Sequence, residues 1–235
     1  MIDIHSHFLP NIDDGARNCD ESIAMLTDSK MQGVDICAGT SHIVIHDEED
    51  IESYLKKRSE CIGLLEQKIN ETNSKVPKLI YGAEIFLDND ISQYGNVSKL
   101  CIGDSNCLLV ELSTVGSSPF YSDWLYSLTL KGISPIIAHI ERYPYIHNLF
   151  GELAGVSNIV YQINAETLLK RSGRIQLMSV YNMNKTVVIG SDMHNMTHRK
   201  CYMKEAFLKL ERTDSYVAKD VFVEFPRQLL GIKEI

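Results

Sequence analysis

The sequence predicts an α/β fold in which seven parallel strands close into a barrel wrapped by helices, with residues 1–235 as one domain. Three observations lead there. Short β-rich runs alternate with helical stretches, with no linker, repeat or low-complexity stretch between them, and such alternation calls for right-handed crossovers around a parallel sheet. The runs are apolar almost throughout, as suits strands covered on both faces. Histidines and carboxylates gather at the C-terminal ends of the runs, the rim at which a parallel barrel keeps its functional loops.

Taken in order, the first strand is expected over 2–5, running on to His7. Residues two apart on a strand share a face, so His5 and His7 can reach one point in space. A helix over 20–32, stopped by Gly33, leads to a strand over 34–40. A long helix over 50–72 leads to a strand over 79–85. Strands over 107–112 and 134–139 flank a helix over 122–131 that Gly132 closes. Strands over 159–164 and 186–190 flank a helix over 173–182, and 200–210 and 215–222 read as terminal helices. Glycine after a helix suits the left-handed residue that commonly ends one.

With 235 residues and a 44% hydrophobic composition, the chain can bury a sizeable core unaided. Any metal is therefore expected to be catalytic rather than a folding staple. The formal net charge of −8 argues against broad binding to nucleic acid or to an anionic membrane. No stretch approaches membrane-spanning length and no secretory signal is evident, so a cytoplasmic protein without membrane insertion is expected. The six cysteines form no C-x-x-C pair and read as reduced, mostly structural thiols.

The C-terminal ends of the predicted strands carry His5 and His7, then His42, Glu84, Glu111, His139, Asn164, and Asp192 with His194. Asp14, just beyond the first strand, joins them. Each alone has a plainer reading: a buried hydrogen-bonded histidine for His42 or His139, turn chemistry for Asp14, a carboxylate seeking a partner for Glu84 or Glu111. Together they form a ring of metal donors. Imidazole mixed with carboxylate suits Mn, Zn or Fe, and the donors exceed what one ion needs. At least two ions are implied, and three divalent ions, carrying about +6 against about −4 from Asp14, Glu84, Glu111 and Asp192, would leave a positive centre that attracts phosphate.

Ordered motifs along the chain carry a resemblance. They are Met1-Ile2-Asp3-Ile4-His5-Ser6-His7 with Asp13-Asp14-Gly15, Gly39-Thr40-Ser41-His42, Gly82-Ala83-Glu84-Ile85, Val110-Glu111, Ala138-His139-Ile140-Glu141-Arg142-Tyr143 and Ser191-Asp192-Met193-His194-Asn195. The chain resembles the polymerase and histidinol phosphatase (PHP) superfamily, and within it the bacterial metal-dependent tyrosine phosphatases of capsule and exopolysaccharide synthesis, the CpsB/YwqE type. The resemblance implies a distorted (β/α)7 TIM-like barrel, the PHP fold, holding three divalent ions, with manganese first and iron or zinc as further fits. It implies that His5, His7, Glu84 and Asp192 hold one ion. Glu84 would bridge to a second with Glu111 and His139, and Asp14, His42 and His194 would hold the third. Arg142 and Arg199 match arginines near the phosphate, and the implied partner is a phosphotyrosine protein, a capsule or exopolysaccharide tyrosine kinase. Two departures bear on substrate preference. The segment after His42 is acidic where relatives carry a basic, glycine-containing loop, and Lys200-Cys201 replaces a proline pair.

No cysteine is followed six positions later by arginine, so thiol-based phosphate chemistry is excluded and metal must activate the attacking water. Arginines and metal would stabilise charge on the phosphoryl oxygens. A tyrosine phenol, with a pKa of about 10, leaves with little protonation, whereas an alkyl alkoxide needs an acid. His46 and His198 are the candidates for that acid, with solvated surface as their plainer reading. Phe8, Phe86, Phe120 and Tyr143 lie near the expected rim, either against an aromatic substrate ring or as packing of the barrel mouth. Two other functions compete: a small-molecule phosphatase of the histidinol-phosphate kind, and a non-catalytic partner that binds a kinase through a metal-organised surface.

Overall fold

A computed structural model describes residues 1–183 and 186–233. Its strands are β1 (Ile2–Ser6), β2 (Ile36–Gly39), β3 (His42–Val44), β4 (Lys78–Tyr81), β5 (Glu84–Phe86), β6 (Cys107–Glu111), β7 (Ser134–Ile137), β8 (Val160–Asn164) and β9 (Thr186–Gly190). All named strand pairs are parallel, in two runs ordered β1-β2-β4 and β3-β5-β6-β7-β8-β9. Two of the staves are broken in the middle. The strand expected over 34–40 is β2, with β3 continuing its stave beyond the expected end, and the one over 79–85 is β4 and then β5. The breaks stay in step because Gly82 N donates to Gly39 O and Glu84 N to Ser41 O.

Seven staves therefore stand side by side: β1, β2 with β3, β4 with β5, then β6 to β9. The ring closes where Asp192 N donates to His5 O and His7 N to Met193 O. This is a distorted (β/α)7 barrel. The distortion is greatest between β4 and β6, which do not pair; Ile102 and Gly103 stand between them, with Gly103 N donating to Tyr81 O and Ile102 N to Cys107 O.

Two cores follow from the alternation of side chains. Ile2, Ile4, Ile36, Ala38, Leu109, Ile136, Ala138, Val160 and Val188 fill the barrel interior. The alternate residues, among them Cys37, Ile43, Ile85, Val110, Ile137, Ile163 and Ile189, face outward beneath the helices. Those helices are α1 (Cys19–Met31), α2 (Glu48–Thr72), α3 (Tyr121–Leu130), α4 (Ile146–Glu152), α5 (Arg171–Asn182), α6 (Met203–Glu211), α7 (Ser215–Lys219) and α8 (Phe225–Leu229). The short α4 was not expected from the sequence. The helix expected over 215–222 is α7 followed by a π-helical turn, Asp220–Glu224, before α8. Phe225, Leu229, Leu230 and Ile232 pack on the interior core and plug the floor of the barrel. Among the described residues the lower layers are apolar and the floor is plugged, so the polar interior side chains gather at the C-terminal mouth.

Candidate metal centre

The interior face of each strand changes from apolar to polar toward that mouth. Leu109 gives way to Glu111, Val160 to Gln162 and Asn164, and Val188 to Gly190 and then Asp192. Two local irregularities add donors that plain alternation would turn outward. From Asp3 to Ser6, β1 advances three residues while β2 advances two, from Cys37 to Gly39. This β-bulge lets Ile4 enter the core and His5, its neighbour, face the same interior. After β7, His139 adopts φ of 30°, so it too points inward directly after the interior residue Ala138. Asp192 is likewise left-handed, with φ of 52°. Such a conformation in a residue with a Cβ costs roughly 1–3 kcal/mol and persists only where the surroundings impose it.

The donors meet around Glu84, which is fully buried. Its Oε2 lies 3.0 Å from His5 Nε2, 3.2 Å from His7 Nε2 and 3.1 Å from His42 Nδ1, while its Oε1 lies 3.0 Å from His139 Nε2. His5 Nε2 and His7 Nε2 are themselves 3.1 Å apart. Asp192 Oδ1 lies 3.5 Å from His5 Nε2, and Glu111 Oε1 lies 3.5 Å from His139 Nε2. On the outer side His194 Nε2 and His42 Nε2 face Asp14 Oδ1 at 3.3 and 3.6 Å. Three sets of donor atoms converge closely enough to hold an ion each: His5, His7 and Glu84; His42, Glu84 and Glu111; and His7, Asp14, His42 and His194. The Nε2 of His194 is buried without a hydrogen-bond partner, an orphan that costs stability unless something else accepts its lone pair. Imidazole nitrogens converging on shared carboxylate oxygens are the donor set of Zn, Mn or Fe rather than of Ca or Mg. The residues present thus fit divalent metal.

A further layer of residues fixes these donors. Gln162 Oε1 lies 3.1 Å from His5 Nδ1 and accepts from His139 N at 2.6 Å. Its Nε2 donates to Asn164 Oδ1, and Asn164 Nδ2 donates to Asp192 Oδ2. Asp13 Oδ2 lies 2.8 Å from His7 Nδ1 and accepts from His42 N, while its Oδ1 accepts from Gly15 N. Tyr143 Oη accepts from Leu112 N and lies 3.2 Å from His139 Nδ1. In each case the partner holds the ring nitrogen remote from the cluster, leaving the other nitrogen free for an ion. Buried Asp3 accepts from Ser191 N at 2.8 Å and so ties the first strand to the 191–194 segment. Two glycines permit the packing: a Cβ on Gly15 would lie 2.0 Å from His7 O, and one on Gly190 would lie 2.6 Å from His5 Cβ.

Burial and crowding set the charges. Burial alone would lower the His7 imidazole, but its bonds to Asp13 and Glu84 raise it to about 10. Burial and then the charge on His7 push His194 down to about 2. Burial would raise Glu84, yet His5 and the other imidazoles hold it well below the carboxylate range. Asp192 is held low in the same way by His5, His7 and Arg199. Glu111, with burial and the Glu84 charge both against its ionisation, is shifted up.

Arg142 and Arg199 each take one oxygen of Asp192, at 2.5 and 2.6 Å, and their side chains remain 38% and 32% exposed at the mouth. They are thus tethered beside the donors while still open to solvent. His46 and His198 are exposed, and neither imidazole bonds to a group of the cluster. Of the aromatic residues expected at the rim, Phe8 and Tyr143 are buried in the outer core, so neither can face a substrate. Phe86 and Phe120 stay at least partly open. Gln162 and Asp13 were not anticipated. Gln162 had a signal, since it stands two residues before Asn164 in an otherwise apolar strand, on the same face.

The family model for capsular polysaccharide synthesis, CpsB/CapC, matches residues 1–231. The chain belongs to this family. Tyrosine-protein phosphatase CpsB of Streptococcus pneumoniae is 28% identical over 247 residues, covering 98% of both chains. CapC of Staphylococcus aureus is 32% identical over 221 residues, covering 88% of this chain and 82% of that one. Tyrosine-protein phosphatase YwqE of Bacillus subtilis is 26% identical over 219 residues, 90% of this chain and 84% of the other. A crystal structure from work on YwqE and CpsB, described as unique metal-dependent tyrosine phosphatases, matches with a TM-score of 0.80 over 100% of this chain and 96% of that one. At 24% identity that likeness speaks for the barrel. Among the described residues, no helix is long and apolar enough to cross a membrane.

Proposed function

We propose that this chain is a metal-dependent protein-tyrosine phosphatase that acts, as one domain, on a phosphotyrosine protein, a capsule or exopolysaccharide tyrosine kinase. The observation that carries the reading is the convergence of buried imidazoles on Glu84, with His194 Nε2 left unpartnered. The thiol route is absent from the sequence, since no cysteine has arginine six positions on. Family membership and the printed names of CpsB and YwqE point the same way.

His5, His7, Glu84 and Asp192 would hold one ion, Glu84, Glu111 and His139 a second, and Asp14, His42 and His194 a third, with manganese the first choice. When bound, such ions supply Lewis acidity and bring a water to reactivity near neutral pH. Everything else falls to the protein. Arg142 and Arg199, held by Asp192 yet open at the mouth, are placed to bind and orient phosphoryl oxygens as charge grows on them. Gln162, Asp13 and Tyr143 hold the imidazoles in one orientation. Among the described residues neither His46 nor His198, the candidate general acids, bonds to the donor cluster, as suits a phenolate leaving group and not an alkoxide. This favours phosphotyrosine over the histidinol-phosphate kind of substrate.

Phosphate release from a tyrosine-phosphorylated peptide and from histidinol phosphate, on metal-stripped protein with and without added Mn, tests the proposal. Peptide turnover that needs Mn and greatly exceeds histidinol phosphate turnover is expected. A preference for histidinol phosphate would overturn the substrate class, and silence on both with metal bound would leave a binding role.

A further inference from the structure

Above the donors, one wall of the barrel mouth is apolar without structural need. Residues in register on neighbouring parallel strands share a face, and here His42 pairs with Glu84, and Val44 with Phe86. Phe86 in turn pairs with Glu111. His42, Glu84 and Glu111 all point into the site, so Val44 and Phe86 stand on that same face, about 6.6 Å beyond His42 and Glu84 along their strands. The alternate residues Ile43 and Ile85 lie in the outer core, as this orientation requires.

Neither Val44 nor Phe86 belongs to a core. Val44 is 46% exposed and Phe86 is half-buried, and neither is part of, or packed on, the outer or interior cluster. Among the described residues Phe86 has no partner ring. A strand phenylalanine left partly open beside a charged cluster keeps apolar surface in contact with water, and a ligand ring can cover it. The ring order of the staves adds a direction. The β3 and β5 staves stand across the mouth from β7 and β9, after which come Arg142 and Arg199. A phosphoryl group held on the arginine side and over the donors sends its ester substituent up the opposite wall.

We propose that Val44 and Phe86 form the surface against which the aryl ring of a phosphorylated substrate packs, making them specificity determinants for aryl over alkyl phosphates. The inference rests on the phosphatase reading of the metal centre. Phenylphosphonate and methylphosphonate carry the same anionic head with and without a ring, and neither can be hydrolysed. Calorimetric titration of the Mn-loaded protein with each reads the wall directly. Wild-type protein is expected to bind phenylphosphonate about tenfold more tightly. Phe86→Ala should abolish most of that preference, with Phe86→Leu and Val44→Ser intermediate, each checked for its Mn content. Equal binding of the two phosphonates by wild type, or full preference in both Phe86 variants, overturns the wall and leaves the phosphatase reading intact. Wild-type protein that holds Mn and binds neither phosphonate overturns both.

Discussion

Gln162 does more for the site than its lack of charge suggests. One carboxamide oxygen serves both His5 Nδ1 and the backbone N–H of strained His139, while its nitrogen reaches Asn164 and through it Asp192. Replacing it with leucine would free the His5 ring and leave a buried N–H unsatisfied, costing about 1–3 kcal/mol. Mn affinity of Gln162→Leu, measured by titration, is expected to fall roughly 10- to 100-fold; wild-type affinity would show that His5 is held without it. The nine candidate donors could be picked out in the sequence because chemistry at strand ends has a position: His5, His7, His42, Glu84, Glu111, His139, Asp192 and His194 at or just past the ends, Asp14 on the first loop. Their supports were less so. Asp13 and Asp14 are adjacent acids, and only the folded loop shows Asp13 turned inward onto His7 while Asp14 stays 66% exposed.

At the scale of elements, Asp47, Glu48 and Asp50 of the segment after His42 have structural partners. Asp47 caps α2 and exchanges bonds with Asp50 in a capping box. Asp50 also accepts from His46 N, and Glu48 accepts from Gly95 N and Asn96 N. These acids start a 25-residue helix and tie down the 94–96 loop. Asp47→Ala should cost about 1 kcal/mol and lower Tm by about 2–4 °C while Mn content stays at its wild-type level; loss of Mn would place the loop in the site. Strand order and the parallel sheet were readable from apolar runs. The breaks in the second and third staves were not, because an apolar run reads the same whether the strand is straight or kinked at Thr40 or Gly82. The bulge at Ile4–His5 was equally hidden, since it depends on the pairing of β1 with β2. The seven-residue α4 is too short to show a helical period.

For the whole molecule, the donor cluster couples fold stability to pH and to metal. In the metal-free protein His7 is raised from an ordinary value near 6.5 to about 10 by Asp13 and Glu84. A raised basic group stabilises the fold fully below its unfolded value and loses that contribution as pH climbs through the folded one, here between pH 6.5 and about 10. Glu84, Asp13 and Asp192 are depressed, so their contribution is present above roughly pH 4 and is lost on acidification. Metal-stripped protein should therefore be most stable between these limits, and its Tm should decline above pH 6.5. An ion bound by His7 must displace that proton, so uptake releases protons and strengthens as pH rises, and binding to the native state alone raises Tm by linkage. The Tm gained on adding Mn is then expected to be larger at pH 8.5 than at pH 6.5, with proton release visible as a dependence of the binding heat on buffer ionisation enthalpy. A gain independent of pH, with no proton release, would mean that His7 keeps its proton and lies outside the metal centre.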